Sequence, residues 1–200
     1  ENMNLHMWAY SRVDTAREKL LDLVRSAGIK WLALGIEAGS QVVRQEVSKG
    51  SFKETNIRKI ISTINKHDLN IIANYIVGFP HDNYETMTST LNLALELNAE
   101  MMNVYPCQAL PGSPLYIQAK KEGWELPRIY EEFAFLSYEC KPLQTKNLTS
   151  AEVLKFRDYF WDTYFNNPAY LKKVEDKFGI KQRLNVESMS KLKLRRKILE

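Results

Sequence analysis

The chain has 200 residues, 44% of them hydrophobic, and a formal net charge of +4 at pH 7. That size and apolar content suit one globular domain, or a domain with an appendage, whose core needs no disulfides. The two cysteines, Cys107 and Cys140, stand far apart with no C-x-x-C and no Cys/His cluster, so a self-contained zinc or iron–sulfur site is excluded.

So few cysteines imply a reducing, cytoplasmic compartment. No apolar stretch reaches the ~20 residues of a membrane helix, and no secretory signal opens the chain. The first residues, "ENMNLHMWAY", lack an initiating Met, which implies a piece of a longer protein. Much of the positive charge lies in "KLKLRRKILE", residues 191–200. It reads as a solvated helix end in preference to a nucleic-acid or lipid contact.

In chain order, "NLHMWAY" is the first strand candidate. Residues 15–27 place Leu20, Leu21, Val24 and Ala27 on one helical face, with Thr15 and Glu18 as a capping box and Gly28 as the stop. "KWLALGIE", residues 30–37, is apolar up to its last residue, as a strand covered on both faces would be. Ser51 and Glu54 repeat the capping signature ahead of Ile57, Ile60, Ile61 and Ile64 at helical spacing. "LNIIANYIVGF" is the next strand, ended by Gly78 and Pro80. Asp82 and Glu85 then introduce a helix with Tyr84, Met87, Leu91, Ala94 and Leu95 on its stripe. "AEMMNVYP" is the fourth strand.

This β-α-β-α-β-α-β order implies a parallel α/β sheet through right-handed crossovers. Doubly wound and barrel arrangements both satisfy it, and four strands are too few to close a barrel. Beyond residue 118 the chain is irregular and aromatic. Residues 148–179 then read as helical, with Thr149 and Glu152 as the cap and Val153, Phe156, Phe160 and Tyr164 on a broad apolar face. Pro168 divides that stretch into two helices.

Polar residues gather at the carboxyl ends of the strands, where parallel α/β folds place their chemistry. "GIEAGSQ" offers Glu37, Ser40 and Gln41, with Arg44 beyond. In "NYIVGFPHD", Asn74 shares a face with Ile72, Ile76 and Gly78. In "NVYPCQALPGSPLY", Asn103 and Tyr105 share a face. Each has a structural alternative. Glu37 would cap a turn or pair with a lysine, Gly35 and Gly39 would permit a tight turn, Asn74 would bond a neighbouring strand's loop, Tyr105 would be core and Arg44 surface. His6, His67 and His81 are scattered without metal spacing. Neither "GIEAGS" nor "VGFPHD" is a phosphate loop.

Taken in order, "WAYSRVD", "AGIKWLALGIEAGSQVVRQEVSKG", "INKHDLNIIANYIVGFPHDNYET", "LPGSPLY" and "FRDYFWDTYFNNPAYL" resemble the later half of a radical S-adenosylmethionine enzyme. The likeness covers residues 4–175 and is nearest to the group that often carries an N-terminal cobalamin-binding domain. It implies the third to sixth units of a six-unit TIM-like (βα) barrel over residues 1–118. A loop-rich connection and C-terminal helical extension would follow over 119–200. The C-x-x-x-C-x-x-C loop that holds the 4Fe–4S cluster in that family is absent here, so the chain alone is expected to be inactive. The parent enzyme would cleave S-adenosylmethionine reductively to a 5′-deoxyadenosyl radical, or use it with cobalamin for methyl transfer, on an unknown substrate.

By the same resemblance, Glu37 would reach the ribose hydroxyls or the amino group of S-adenosylmethionine. Ser40 or Arg44 would hold its carboxylate. The backbone of Val77, Gly78 and Phe79 would lie along adenine, and Asn74, Asn103 and Tyr105 would line the interior. His81 and Asp82 stand where that family more often has glycine then glutamate. Two rival readings remain: an ordinary α/β-barrel enzyme with Glu37 as acid or base on a small molecule, and a non-catalytic interaction module using the basic tail and the helix at 153–165. An unpaired edge strand would favour a homodimer.

Overall fold

A computed structural model describes residues 5–47 and 56–200. The chain begins with β1 (Met7–Arg12), α1 (Glu18–Ser26), β2 (Ile29–Glu37) and α2 (Gln41–Val47). There follow α3 (Ile57–Lys66), β3 (Asn70–Val77), α4 (Tyr84–Leu97) and β4 (Met101–Pro106). After β4 come α5 (Pro114–Lys121), α6 (Tyr130–Phe133), α7 (Ser150–Phe165), α8 (Pro168–Phe178) and α9 (Ile180–Ser190). The strands form one four-stranded sheet in the order β1-β2-β3-β4, every pair parallel. The architecture is a partial parallel (βα) sheet followed by C-terminal helices, as the sequence pattern predicts.

Strand alternation splits the sheet into two unlike faces. Leu34, Ile36, Ile71, Ala73, Tyr75, Val77, Met102 and Val104 are buried in the main core with Ile61 and Ile64 of α3, Met87 and Leu91 of α4, and Val153 and Phe160 of α7. The opposite face carries Tyr10, Arg12, Ala33, Gly35, Asn74, Ile76, Asn103 and Tyr105, and no helix of the α1–α4 layer covers it. The expectation that β2 is covered on both faces holds only in part: Ala33 is buried on this face too, whereas Gly35 and Glu37 are half-buried. On this second face Phe178 of α8 stacks on Trp31 near the amino end, with ring centroids 5.8 Å apart. The apolar run in β2 serves a core on one side and a hollow on the other.

Local signals moved in three places. Thr15 does not cap α1; it lies in a 3-10 turn, and its hydroxyl donates to Arg12 O at 2.9 Å. Asn83, not Asp82, is the N-cap of α4, in a reciprocal box with Thr86. The Ser51/Glu54 signature lies outside the described residues, and α3 is capped by Asn56, whose side chain accepts from Lys59 N. The Thr149/Glu152 box stands as predicted, and Pro168 occupies the first turn of α8.

The C-terminal elements close the sheet's β4 side. Arg157 of α7 donates from Nε to Val104 O at 3.0 Å, occupying an outward carbonyl of that strand. The basic tail is solvated as expected at Lys191, Lys193, Arg195 and Lys197, but it is not a helix end there, and Arg196 turns inward. Arg196 is 2% exposed, donates from Nε and Nη2 to Asp158 at 3.0 Å, and reaches Phe135 O at 2.8 Å and Ser137 O at 3.0 Å. A carboxylate far back in sequence draws this guanidinium inward.

Candidate active-site cleft

A cleft of about 530 Å³ opens on the uncovered face, towards the carboxyl ends of the strands. All four strands contribute to it: Tyr10, Ser11 and Arg12 from β1, Ala33, Gly35 and Glu37 from β2, Asn74 and Ile76 from β3, and Tyr105 from β4. The parallel register makes this convergence unavoidable. Arg12 pairs with Gly35, Gly35 with Asn74, and Asn74 with Asn103, so one row of the face runs from a guanidinium across a bare backbone to two amides.

Glu37 sits where that register breaks, at the irregularity after Gly35. Its φ is +67°, a left-handed conformation that non-glycine residues rarely adopt. Ala38 N donates to Ile36 O at 3.0 Å, closing a three-residue turn with Glu37 at its centre. The turn folds the side chain back over β2. Oε1 lies 2.6 Å from the point a Cβ on Gly35 would occupy. Gly35 is thus a space-maker for the carboxylate, where the sequence suggested a turn-former. Burial pushes the Glu37 carboxyl above the ordinary carboxylate range, and the nearby positive charge of Arg12 only partly offsets this. Arg12 is itself held by Asp14 through two hydrogen bonds of 2.9 Å.

The floor is an amide relay. Asn103 Nδ2 donates to Asn74 Oδ1 at 3.0 Å, and Asn74 Nδ2 donates to Leu34 O at 3.2 Å and Ile72 O at 3.3 Å. Two polar side chains are thereby fixed among apolar neighbours without orphaned donors. Tyr105 packs edge-on to Phe135, with centroids 5.0 Å apart, and burial raises its phenol pKa.

Other sequence candidates lie apart from this cleft. Ser40 leads into α2, its carbonyl accepting from Arg44 N. Arg44 turns back to the loop, donating from Nη1 to Ala38 O and Gly39 O at 2.8 Å each, and lines a separate polar hollow beside α3 and α4. The Val77–Phe79 segment is engaged internally. Asp82 Oδ2 accepts from Gly78 N and Phe79 N at 2.9 Å each, and Val77 O accepts from Cys107 N at 2.8 Å. Those two N–H groups thus already have a partner within the chain, and it is Asp82, expected to cap α4, that occupies them. Gly78, at φ +86°, sits against Val153, where a Cβ would come within 2.5 Å of Cγ1.

Tyr10, Ser11 and Arg12 escaped the sequence reading. The strand-like alternation of Trp8, Tyr10 and Arg12 was the available signal. Burial pushes the thiols of Cys107 and Cys140 up to about 12 and about 11, away from the thiolate form that binds metal. Among the described residues no group of three or more His, Cys, Asp or Glu is placed to hold a metal ion, and no helix is long and apolar enough to cross a membrane.

No family model matches the chain. An uncharacterized methyltransferase of Pyrococcus horikoshii is 23% identical over 173 residues, which are 86% of this chain and 37% of that protein. The anaerobic magnesium-protoporphyrin IX monomethyl ester cyclase of Rubrivivax gelatinosus is 27% identical over 162 residues, 79% of this chain and 28% of that one. The chain thus spans little more than a third of the first relative's length and less of the second's. Among solved structures, the radical S-adenosylmethionine methyltransferase of Kitasatospora setae, with cobalamin and a 4Fe–4S cluster bound, superposes with a TM-score of 0.51 at 15% identity, over 57% of this chain and 21% of that one. At 15% identity the likeness is one of fold: this chain shares the fold of part of that radical S-adenosylmethionine methyltransferase.

Proposed function

We propose that the chain supplies the third to sixth βα units of a radical S-adenosylmethionine barrel, and that Glu37 receives the ribose hydroxyls of the adenosyl ligand. The observation that carries this is a single carboxylate, desolvated and backbone-strained, on the wall of a cleft to which all four strands contribute. An ionised carboxylate accepts two hydroxyl hydrogens at once, and a vicinal diol presents two. Residues held in sparse backbone conformations cluster at functional sites.

When bound, S-adenosylmethionine supplies an electrophilic sulfonium, the source of a transferable methyl or adenosyl group. The chain's own residues do the rest. Gly35 leaves room for the carboxylate, the Asn74–Asn103 relay fixes a rigid polar floor, and Tyr10 and Tyr105 flank the ligand and exclude water. Arg12, rather than Arg44, is the cation that lines this cleft, held there by Asp14. The cysteines here do not suit a 4Fe–4S cluster, so in this reading the cluster belongs to other residues of the parent protein, as does any cobalamin site.

A raised carboxyl pKa also suits acid–base work on a small molecule, the second reading. Titration calorimetry with S-adenosylhomocysteine separates the two. The adenosyl reading expects binding that Glu37→Gln weakens about tenfold, the equivalent of roughly 1.4 kcal/mol. Binding of equal strength in both proteins, or none in either, overturns it.

A further inference from the structure

Beside the cleft, on the far side of the Asn74–Asn103 relay, lies a second hollow of about 340 Å³ between β4, α7, α9 and the tail. Phe135, Trp161 and Met189 wall it, and Leu136, Leu192 and Leu194 form its rim. These three leucines are 55%, 73% and 43% exposed, an uncommon grouping of large apolar side chains at one surface point. The aromatic walls are set in place. The Arg157 guanidinium lies over both rings, 5.6 Å from the Phe135 centroid and 5.2 Å from that of Trp161, while its Nε holds Val104 O.

The charges that line the hollow are already matched. Asp158 takes Arg157 Nη1 at 2.9 Å and Arg196 Nη2 at 3.0 Å, and Lys193 reaches Asp162 at 2.5 Å. A charged ligand would have to displace one of these partners, whereas a neutral apolar one displaces only water. The hollow shares a partition with the cleft. Asn103 lines the hollow and donates to Asn74 in the cleft, and Phe135 of the hollow packs on Tyr105 of the cleft.

We propose that this hollow is a second binding site and that it takes a neutral, ring-bearing apolar group of the substrate, whose other end meets the cleft. The size lies within the range of small-molecule sites, and aromatic walls with a few polar groups are their usual lining. The assignment to substrate rests on the reading of the cleft as an adenosyl site; the binding itself does not.

The probe is N-phenyl-1-naphthylamine, uncharged and aromatic, whose fluorescence rises in apolar surroundings. Titration of the chain is expected to saturate at one probe per molecule. Leu136→Glu and Leu192→Glu alter exposed rim residues, so the fold survives, as circular dichroism would register; each is expected to weaken the probe about tenfold. Glu37→Gln is expected to leave the probe's affinity unchanged, and Leu192→Glu to leave that of S-adenosylhomocysteine unchanged. Non-saturable fluorescence, or equal affinity in the rim variants, overturns the hollow as a site. Normal probe behaviour with no effect of Glu37→Gln on S-adenosylhomocysteine overturns the adenosyl reading instead.

Discussion

Glu37 bears two penalties at once. A left-handed backbone costs a non-glycine residue about 1–2 kcal/mol, and a half-buried carboxylate loses part of its hydration. Nothing in the resting fold repays either in full, which is the physical case for a ligand. Gly35 is the silent partner of this arrangement. Gly35→Ala would place a methyl group 2.6 Å from Oε1, so the flexible carboxylate must swing away. The expected outcome is a change in unfolding free energy under about 1 kcal/mol in urea titrations, with loss of S-adenosylhomocysteine affinity comparable to that of Glu37→Gln. Retained affinity would show that the folded-back carboxylate is not the binding form. The sequence displays Glu37 plainly, as a charge ending an apolar run. It does not display the direction of Arg44, because that depends on a loop whose carbonyls claim the guanidinium, nor Arg12, which needed the strand register to reach the cleft.

Among the elements, α8 is tied to the sheet by one buried carboxylate. Glu100, 5% exposed, accepts from Ile71 N at 2.9 Å and pairs with Lys173 and Lys177 at 2.9 Å each. Burial opposes its charge, but the two lysines and the hydrogen bonds together hold its pKa below the usual carboxylate value. A carboxyl whose folded pKa is depressed stabilises fully above its unfolded value of about 4.3, and that contribution is lost as pH falls through the folded value. Glu100→Gln is expected to cost about 2 kcal/mol in urea unfolding at pH 7, with the gap to wild type closing at acid pH. A gap that is the same at both pH values would mean that charge is not the source. The strands and the long helices were legible because hydrophobic periodicity is local. The caps at Thr15 and Asp82 were misread because Arg12 O and the Gly78–Phe79 backbone, three or four residues upstream, claim those side chains, a local competition that the capping-box spacing does not register. The short helix α5 begins at Pro114 with Ser113 as its N-cap, a helix that the sequence reading did not assign.

At the scale of the molecule, a parallel sheet with the α1–α4 helices on one face leaves much of its other face open, and the proposed reading makes that face a shared wall for cofactor and substrate. Pattern alone reached the parallel order of strands. It missed the tail's return, since the Asp158–Arg196 pairing joins residues 38 apart in sequence. It also missed the recess walled by Phe135 and Trp161, which exists only once α7, α9 and the tail meet β4. The central claim is that the ionised form of Glu37 holds an adenosyl diol. Its pKa is raised by burial, so the protonated carboxyl predominates below that value and the accepting form above it. The affinity of S-adenosylhomocysteine, measured by calorimetry across the acid-to-neutral range, is therefore predicted to rise with pH through the Glu37 pKa and then level off, and to be weak and flat in Glu37→Gln. An affinity that ignores pH in the wild type, or the same rise in both proteins, would contradict it.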